Sequence, residues 1–157
     1  MKNKIVLILV LLLCCAAALW QHRASEPYLR IYNQKSHQLY VETPVKAGDR
    51  LYFGWVHSLE KIPWQEYYHI TDKNTLMLDT IAFPAFGAGI PENKGKKVRI
   101  EKGMIYMDEI GQEFQQFDWI NSHFATREIK LNKVLLTRGK DLPEHTRLIL
   151  VIERRGF

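Results

Sequence analysis

Cysteine is missing from almost all of this chain: Cys14 and Cys15 lie in an N-terminal apolar run, and none follows. A domain beginning near residue 25 therefore has no internal disulfide, no thiol nucleophile and no cysteine ligand for zinc, so its stability must come from packing. Amphipathic segments of helical length are missing too. No strand-like run is followed by one, which removes βαβ crossovers and the parallel-sheet folds built from them. There is no internal repeat. With 46% hydrophobic and 25% charged residues, the composition also excludes disordered and collagen-like chains.

The charge balance is basic but unfocused. The formal +5 falls to +3 if Lys2 and Lys4 are lost, and the remaining cations cluster only at Lys94-Gly-Lys96-Lys97-Val-Arg99 and Arg154-Arg155. Nucleic-acid binding wants a basic stripe interleaved with aromatics, which is not present. A solvated surface, or a face toward anionic lipid, suits this scatter better.

Residues 5–20, Ile5 to Trp20, form sixteen uninterrupted apolar or small positions behind Lys2 and Lys4. Positive n-region, apolar h-region and the small residues Ala16-Ala17-Ala18 have the layout of a secretory signal, cleaved after about Ala18. A spanning helix wants ~17 to 25 apolar residues, so a retained anchor, with Trp20 at the outer interface, stays open beside cleavage. Lipidation is the lesser alternative, because Leu13 is not the small residue that usually precedes a lipidated cysteine. The protein is therefore expected outside the cytoplasm, at the outer face of the cytoplasmic membrane or in the periplasm. With residues 1–20 as signal or anchor and 21–27 as linker, one domain remains over 28–157, large enough to bury a core.

That domain reads as short strands with punctuation. Tyr28–Tyr32 and Gln38–Thr43 alternate around a turn, and Arg50–His57 pairs with Gln65–Thr71 as a central hairpin. Thr75–Phe83 follows, then a Gly/Pro loop, then Lys97–Glu101 and Met104–Met107. Glu128–Leu131, Lys133–Thr137 and Thr146–Glu153 close the chain. Residues 111–127 fit neither period, and a short helix or irregular aromatic cover is expected there. The fold expected is all-β: an antiparallel β-sandwich or partly open barrel of about eight to ten strands.

Polar and aromatic groups concentrate between Trp55 and Pro91. Strand parity decides which share a face. If Lys61-Ile-Pro-Trp64 closes the hairpin, Leu59 opposes Glu66 and His57 opposes Tyr68, so His57 and Glu66 are diagonal neighbours about 7 to 8 Å apart, within reach of a hydrogen bond. Phe53, Trp55 and Tyr68 then wall that face. A five-residue turn instead sets His57 opposite His69 and Glu60 opposite Glu66. Two histidines supply only half a zinc site, and no metal or cofactor is expected. Ser58 beside His57 does not make a nucleophile–base pair on a strand, because neighbours point to opposite faces. Pro84-Ala-Phe-Gly87-Ala-Gly89-Ile-Pro91 has the backbone freedom for a small anion nest but lacks the Lys-Ser/Thr of a P-loop.

The motif His57-Ser58-x-Glu60-x-x-Pro63-x-x-Glu66, followed by Gly87-Ala-Gly89-Ile-Pro91, resembles the domain of unknown function 1850 family over roughly Tyr28 to Glu153. The resemblance implies a small exported or membrane-anchored bacterial protein, commonly encoded beside TAXI-type TRAP transporters, which import solutes through a separate binding protein. Two functions follow as expectations. One is an extracytoplasmic accessory or binding module that contacts transporter components or a small anionic solute, with the motif residues as its site. The other is a hydrolase using His57 as base with Glu66 orienting it. The absence of a recognisable nucleophile favours the first.

Overall fold

The computed structural model describes Leu13 and residues 26–87 and 94–154. The rest of the apolar N-terminal run, with its expected signal or anchor helix, lies outside the described residues, as do Gly89 and Pro91 of the Gly/Pro loop. Among the described residues, no helix is long and apolar enough to cross a membrane.

Among the described residues, twelve strands form: β1 (Pro27–Asn33), β2 (Leu39–Pro44), β3 (Arg50–Val56), β4 (Pro63–Ile70), β5 (Leu76–Phe83), β6 (Lys97–Glu101), β7 (Met104–Asp108), β8 (Gln112–Phe114), β9 (Gln116–Ile120), β10 (Thr126–Leu131), β11 (Val134–Arg138) and β12 (Arg147–Arg154). They make two antiparallel sheets. The smaller has the order β2-β1-β12-β9, and the larger runs β11-β10-β3-β4-β5-β7-β6 with β8 also on β5. Residues 26–87 and 94–154 are all-β apart from one 3-10 turn at Gly139–Asp141, as the alternation and the missing amphipathic stretches required.

Period-two patterning explains the pairing. In β1 the fully buried Leu29 and Ile31 face Ile152 and Leu150 of β12, so the first and last strands lie side by side. Leu51 and Phe53 of β3, Tyr68 and Ile70 of β4 and Ile81 and Phe83 of β5 bury the corresponding positions of the larger sheet. Residues of both sheets belong to one apolar cluster. Each fully buried aliphatic or aromatic side chain contributes about 1.5 to 3 kcal/mol relative to exposure, so two half-apolar sheets without disulfides gain most by sharing one core. In β5 the inward set changes parity, from Leu76 and Leu78 to Ile81 and Phe83, because a bulge against Tyr67/Tyr68 inserts one residue.

The structure corrects the expectation for residues 111–127. Instead of a helix or irregular cover, this stretch supplies β8 and β9, which accounts for twelve strands in place of eight to ten. β8 pairs with β5 in the larger sheet and β9 with β12 in the smaller, with Gln115 alone between them. A chain that changes sheets within one residue keeps no single period, because each half answers to a different partner. The switch turns Phe114 and Phe117 toward Tyr68, at ring separations of 6.2 Å in both cases.

Asn121 fixes the end of β9. It is fully buried, and its Nδ2 donates to the carbonyls of Gly139 (3.0 Å), Leu142 (3.3 Å) and Pro143 (3.0 Å), tying this strand to the connection between β11 and β12.

Candidate functional site

The central hairpin pairs Phe53 with Glu66, Trp55 with Trp64 and Val56 with Pro63. Neither expected register occurs. Glu66 was expected opposite Leu59 and instead meets Phe53, six residues earlier in the chain, because residues 57–62 form the turn. Six is even, so the faces survive: Phe53, Trp55, Glu66 and Tyr68 still share one side, joined by Trp64. The turn closes through His57 N–H to the Ile62 carbonyl (2.9 Å) and Lys61 N–H to the His57 carbonyl (2.9 Å), with Lys61 at a φ of 56°. His57 therefore opposes neither Tyr68 nor His69. His69 pairs with Arg50 and binds Asp79 through Nδ1 at 2.8 Å, so the two-histidine arrangement does not form.

Glu66 sits at the centre of an aromatic box. Trp64 Nε1–H donates to Oε1 at 3.0 Å and the Tyr68 hydroxyl donates to Oε2 at 2.6 Å. Burial pushes the Glu66 carboxyl above its ordinary range, against the opposing pull of Tyr68, Trp64 and Trp55 hydrogen bonds and the Lys94 charge. Burial, with the Glu66 charge next in effect, likewise pushes the Tyr68 phenol up, which keeps its proton in place to donate. No hydrogen bond joins His57 to Glu66, and the expected base–orienter pair is not made. His57 instead lies between Trp55 and Trp64, with centroid separations of 5.7 and 5.6 Å, and its Nδ1 accepts the backbone N–H of Glu60 at 3.4 Å. Ser58 lies exposed in the turn rather than on a strand, and Pro63 starts β4.

The aromatic stack continues from Trp64 to Phe83, at 5.1 Å with planes 13° apart, and on to Phe86 at 5.6 Å. It leads to the Gly/Pro loop. A Cβ added to Gly87 would stand 2.5 Å from Cδ of Glu60 and under 3 Å from both its carboxylate oxygens. Both halves of the motif thus meet here, Glu60 from the hairpin turn and Gly87 from the loop after β5. With any larger residue at 87 the Glu60 carboxylate would have to swing aside. The clasp leaves two apolar side chains outward, Leu59 at 64% and Phe86 at 56% exposure. The 121–125 connection joins the same end, since Val56 N–H donates to the Ala125 carbonyl at 2.8 Å. It brings the exposed Phe124 and, just before it, Ile120.

Sequence reasoning missed the opposite face of the hairpin. Tyr52 and Tyr67 pair directly across β3 and β4, with rings 5.3 Å apart and edge-on, and with Tyr106 they floor an open cavity of about 680 Å³. Alternation does put Tyr52 and Tyr67 opposite to Phe53 and Glu66, and that signal was available. What no local pattern shows is that β7 and β10 bring Tyr106 and Lys130 to the same surface.

The fold and site thus define a cysteine-free all-β domain of two antiparallel sheets, whose densest motif clasps the turn of its central hairpin to a Gly/Pro loop. The chain belongs to the family described as Domain of unknown function (DUF1850), which matches residues 51–135, from β3 into β11. No curated protein and no solved structure matches it.

Proposed function

We propose that this protein is an extracytoplasmic accessory module of a TRAP-type importer and that it docks on a transporter component through the end of the domain where Glu60 meets Gly87. The observation that carries the reading is the pair of outward apolar side chains on the clasp, Leu59 and Phe86, each next in the chain to one of the two residues that close it, the half-buried Glu60 and the exposed Gly87. Exposed apolar groups gathered on neighbouring loops are the usual mark of a protein-contact surface. Glu66, engaged by Trp64 and Tyr68, acts in this reading as an internal brace under that surface and not as a base. The importer as partner, and export by residues 5–20, come from the family resemblance and from the signal-like N-terminus. The two sheets pack as a sandwich in this reading, supported by the single core cluster drawn from both.

Co-purification with the importer's membrane and solute-binding components, expressed together, tests the proposal. Leu59→Asp and Phe86→Asp should each abolish the complex while leaving the β-type circular dichroism spectrum unchanged. Complexes that survive both changes would exclude docking through this end. A reporter fused at Phe157 should be active only outside the cytoplasm; cytoplasmic activity would contradict the location.

A further inference from the structure

The outer face of the larger sheet carries a feature that packing does not require. Side chains on that face of β3, β4 and β7 have solvent available, yet Tyr52, Tyr67 and Tyr106 are all half-buried and gather into one groove. Gly54 makes this arrangement fit. A Cβ there would stand 2.6 Å from the Tyr52 hydroxyl, so the missing side chain lets the Tyr52 ring lie down along the sheet as a floor.

Charge is distributed unevenly around that floor. Arg50, Lys130 and Lys133 gather at the β3–β10 end, and Arg99 stands at the far wall with its guanidinium 3.7 Å from the centroid of Tyr106. Among the described residues, Asp79 is the one carboxylate lining the cavity. Three of the cations are tethered: Arg50 to Asp79 at 2.7 Å, Arg99 to Asp108 and Glu101 at 2.7 Å each, and Lys130 to Glu128. Lys133 makes no ion pair among the described residues. Lys130 also lies 5.2 Å from the Tyr52 ring centroid, so a cation and an aromatic body meet at one end of the groove.

Hydroxyl donors complete the set. Tyr67 donates to Gln65 Oε1 at 2.7 Å, whereas the hydroxyls of Tyr52 and Tyr106 donate to no group among the described residues. Burial, with the neighbouring Tyr67 charge next in effect, pushes the Tyr52 phenol up to about 12, so it keeps its proton. About 680 Å³ falls within the range of small-molecule sites, roughly 300 to 1,000 Å³.

We infer that this groove is a binding site for a small organic carboxylate with a flat ring or unsaturated body, its carboxylate against Lys133, Lys130 and Arg50 and its body over Tyr52 and Tyr67. Cations at one end select the anionic group, the tyrosine floor takes the apolar body, and the free hydroxyls satisfy polar substituents. The site lies on the opposite face of the hairpin from Glu66 and is separate from the docking end, so the two proposals stand or fall independently.

The test uses 4-hydroxybenzoate, its uncharged amide and inorganic phosphate as probes, with binding followed by backbone amide shifts in the folded protein. The benzoate should shift residues of β3, β4 and β10 around Tyr52 and Tyr67. The amide and phosphate should each bind at least about tenfold more weakly. Lys133→Gln removes a cation with no ion-pair partner among the described residues and should weaken the benzoate about tenfold without altering stability; Lys130→Gln, which also breaks the pair with Glu128, should weaken it to a similar degree. Gly54→Val, which displaces the Tyr52 ring, should abolish binding, and Glu66→Gln should leave it unchanged. Equal binding of amide and benzoate, shifts elsewhere, no benzoate binding up to about 10 mM, or an unaltered affinity in Lys133→Gln would each overturn the assignment.

Discussion

Glu60 and Gly87 occupy one another's space: the carboxylate of the first lies where the side chain of the second would begin, 2.5 Å from Cδ to the missing Cβ. They are 27 positions apart in the chain and belong to different loops. Gly87→Ala should expel the carboxylate and cost about 1 kcal/mol. In a Glu60→Ala background the same change should cost nothing, or stabilise slightly by stiffening the unfolded chain. A double-mutant cycle in urea measures this coupling, and additive effects would show that the two residues do not sense each other.

Glu66 makes stability depend on pH with a defined sign. Its carboxyl titrates above the ordinary 4.5 in the folded protein, chiefly through burial. The folded state therefore holds its proton more tightly than the unfolded chain does. This contribution is fully present below 4.5 and is lost as pH rises through the raised value. Glu66→Gln has no such loss, so its stability relative to wild type should improve as pH rises across that window. Denaturation midpoints measured at several pH values would reveal the crossover, and parallel curves would contradict it.

Asn121 is the polar pin of the core. Replacing it with alanine leaves the carbonyls of Leu142 and Pro143 without its N–H and the Gly139 carbonyl with only the Leu142 N–H at 3.2 Å. The expected loss is about 2 to 3 kcal/mol, seen as a lower thermal midpoint. Asn121→Asp should be no better, because a carboxylate supplies no N–H.

Reductant should have no effect on the folded domain. Residues 26–154 contain no cysteine, so thermal midpoint and far-UV circular dichroism should be identical with and without dithiothreitol. A shift would implicate Cys14 or Cys15 in the behaviour of the domain.

Of the two registers open in the sequence, the four-residue turn gives the right faces for the central hairpin and the wrong pairing, whereas the five-residue turn would have reversed the faces. Side-chain period is two, so any even error in pairing keeps Phe53, Trp55, Glu66 and Tyr68 together, whereas the length of the turn depends on hydrogen bonds that the local residues do not announce. Lys61 at positive φ and the closure of His57 on Ile62 make the six-residue turn. His57 moved from strand to turn with that change, and its expected bond to Glu66 went with it.

Alternation, the lack of amphipathic helical stretches and the absence of cysteine determined by themselves that this protein is all-β and held by its apolar core, because those properties depend only on neighbours in sequence. The motif spacing likewise marked Glu60, Glu66 and Gly87 before any contact was known. Tertiary structure alone decided that Glu60 would close on Gly87, that Phe114 and Phe117 would serve different sheets, and that Tyr52, Tyr67 and Tyr106 would share a basic groove with Lys133. Each of these joins strands distant in the chain, and the order in which strands lie side by side is set by how two sheets best cover one core, a quantity no local window contains.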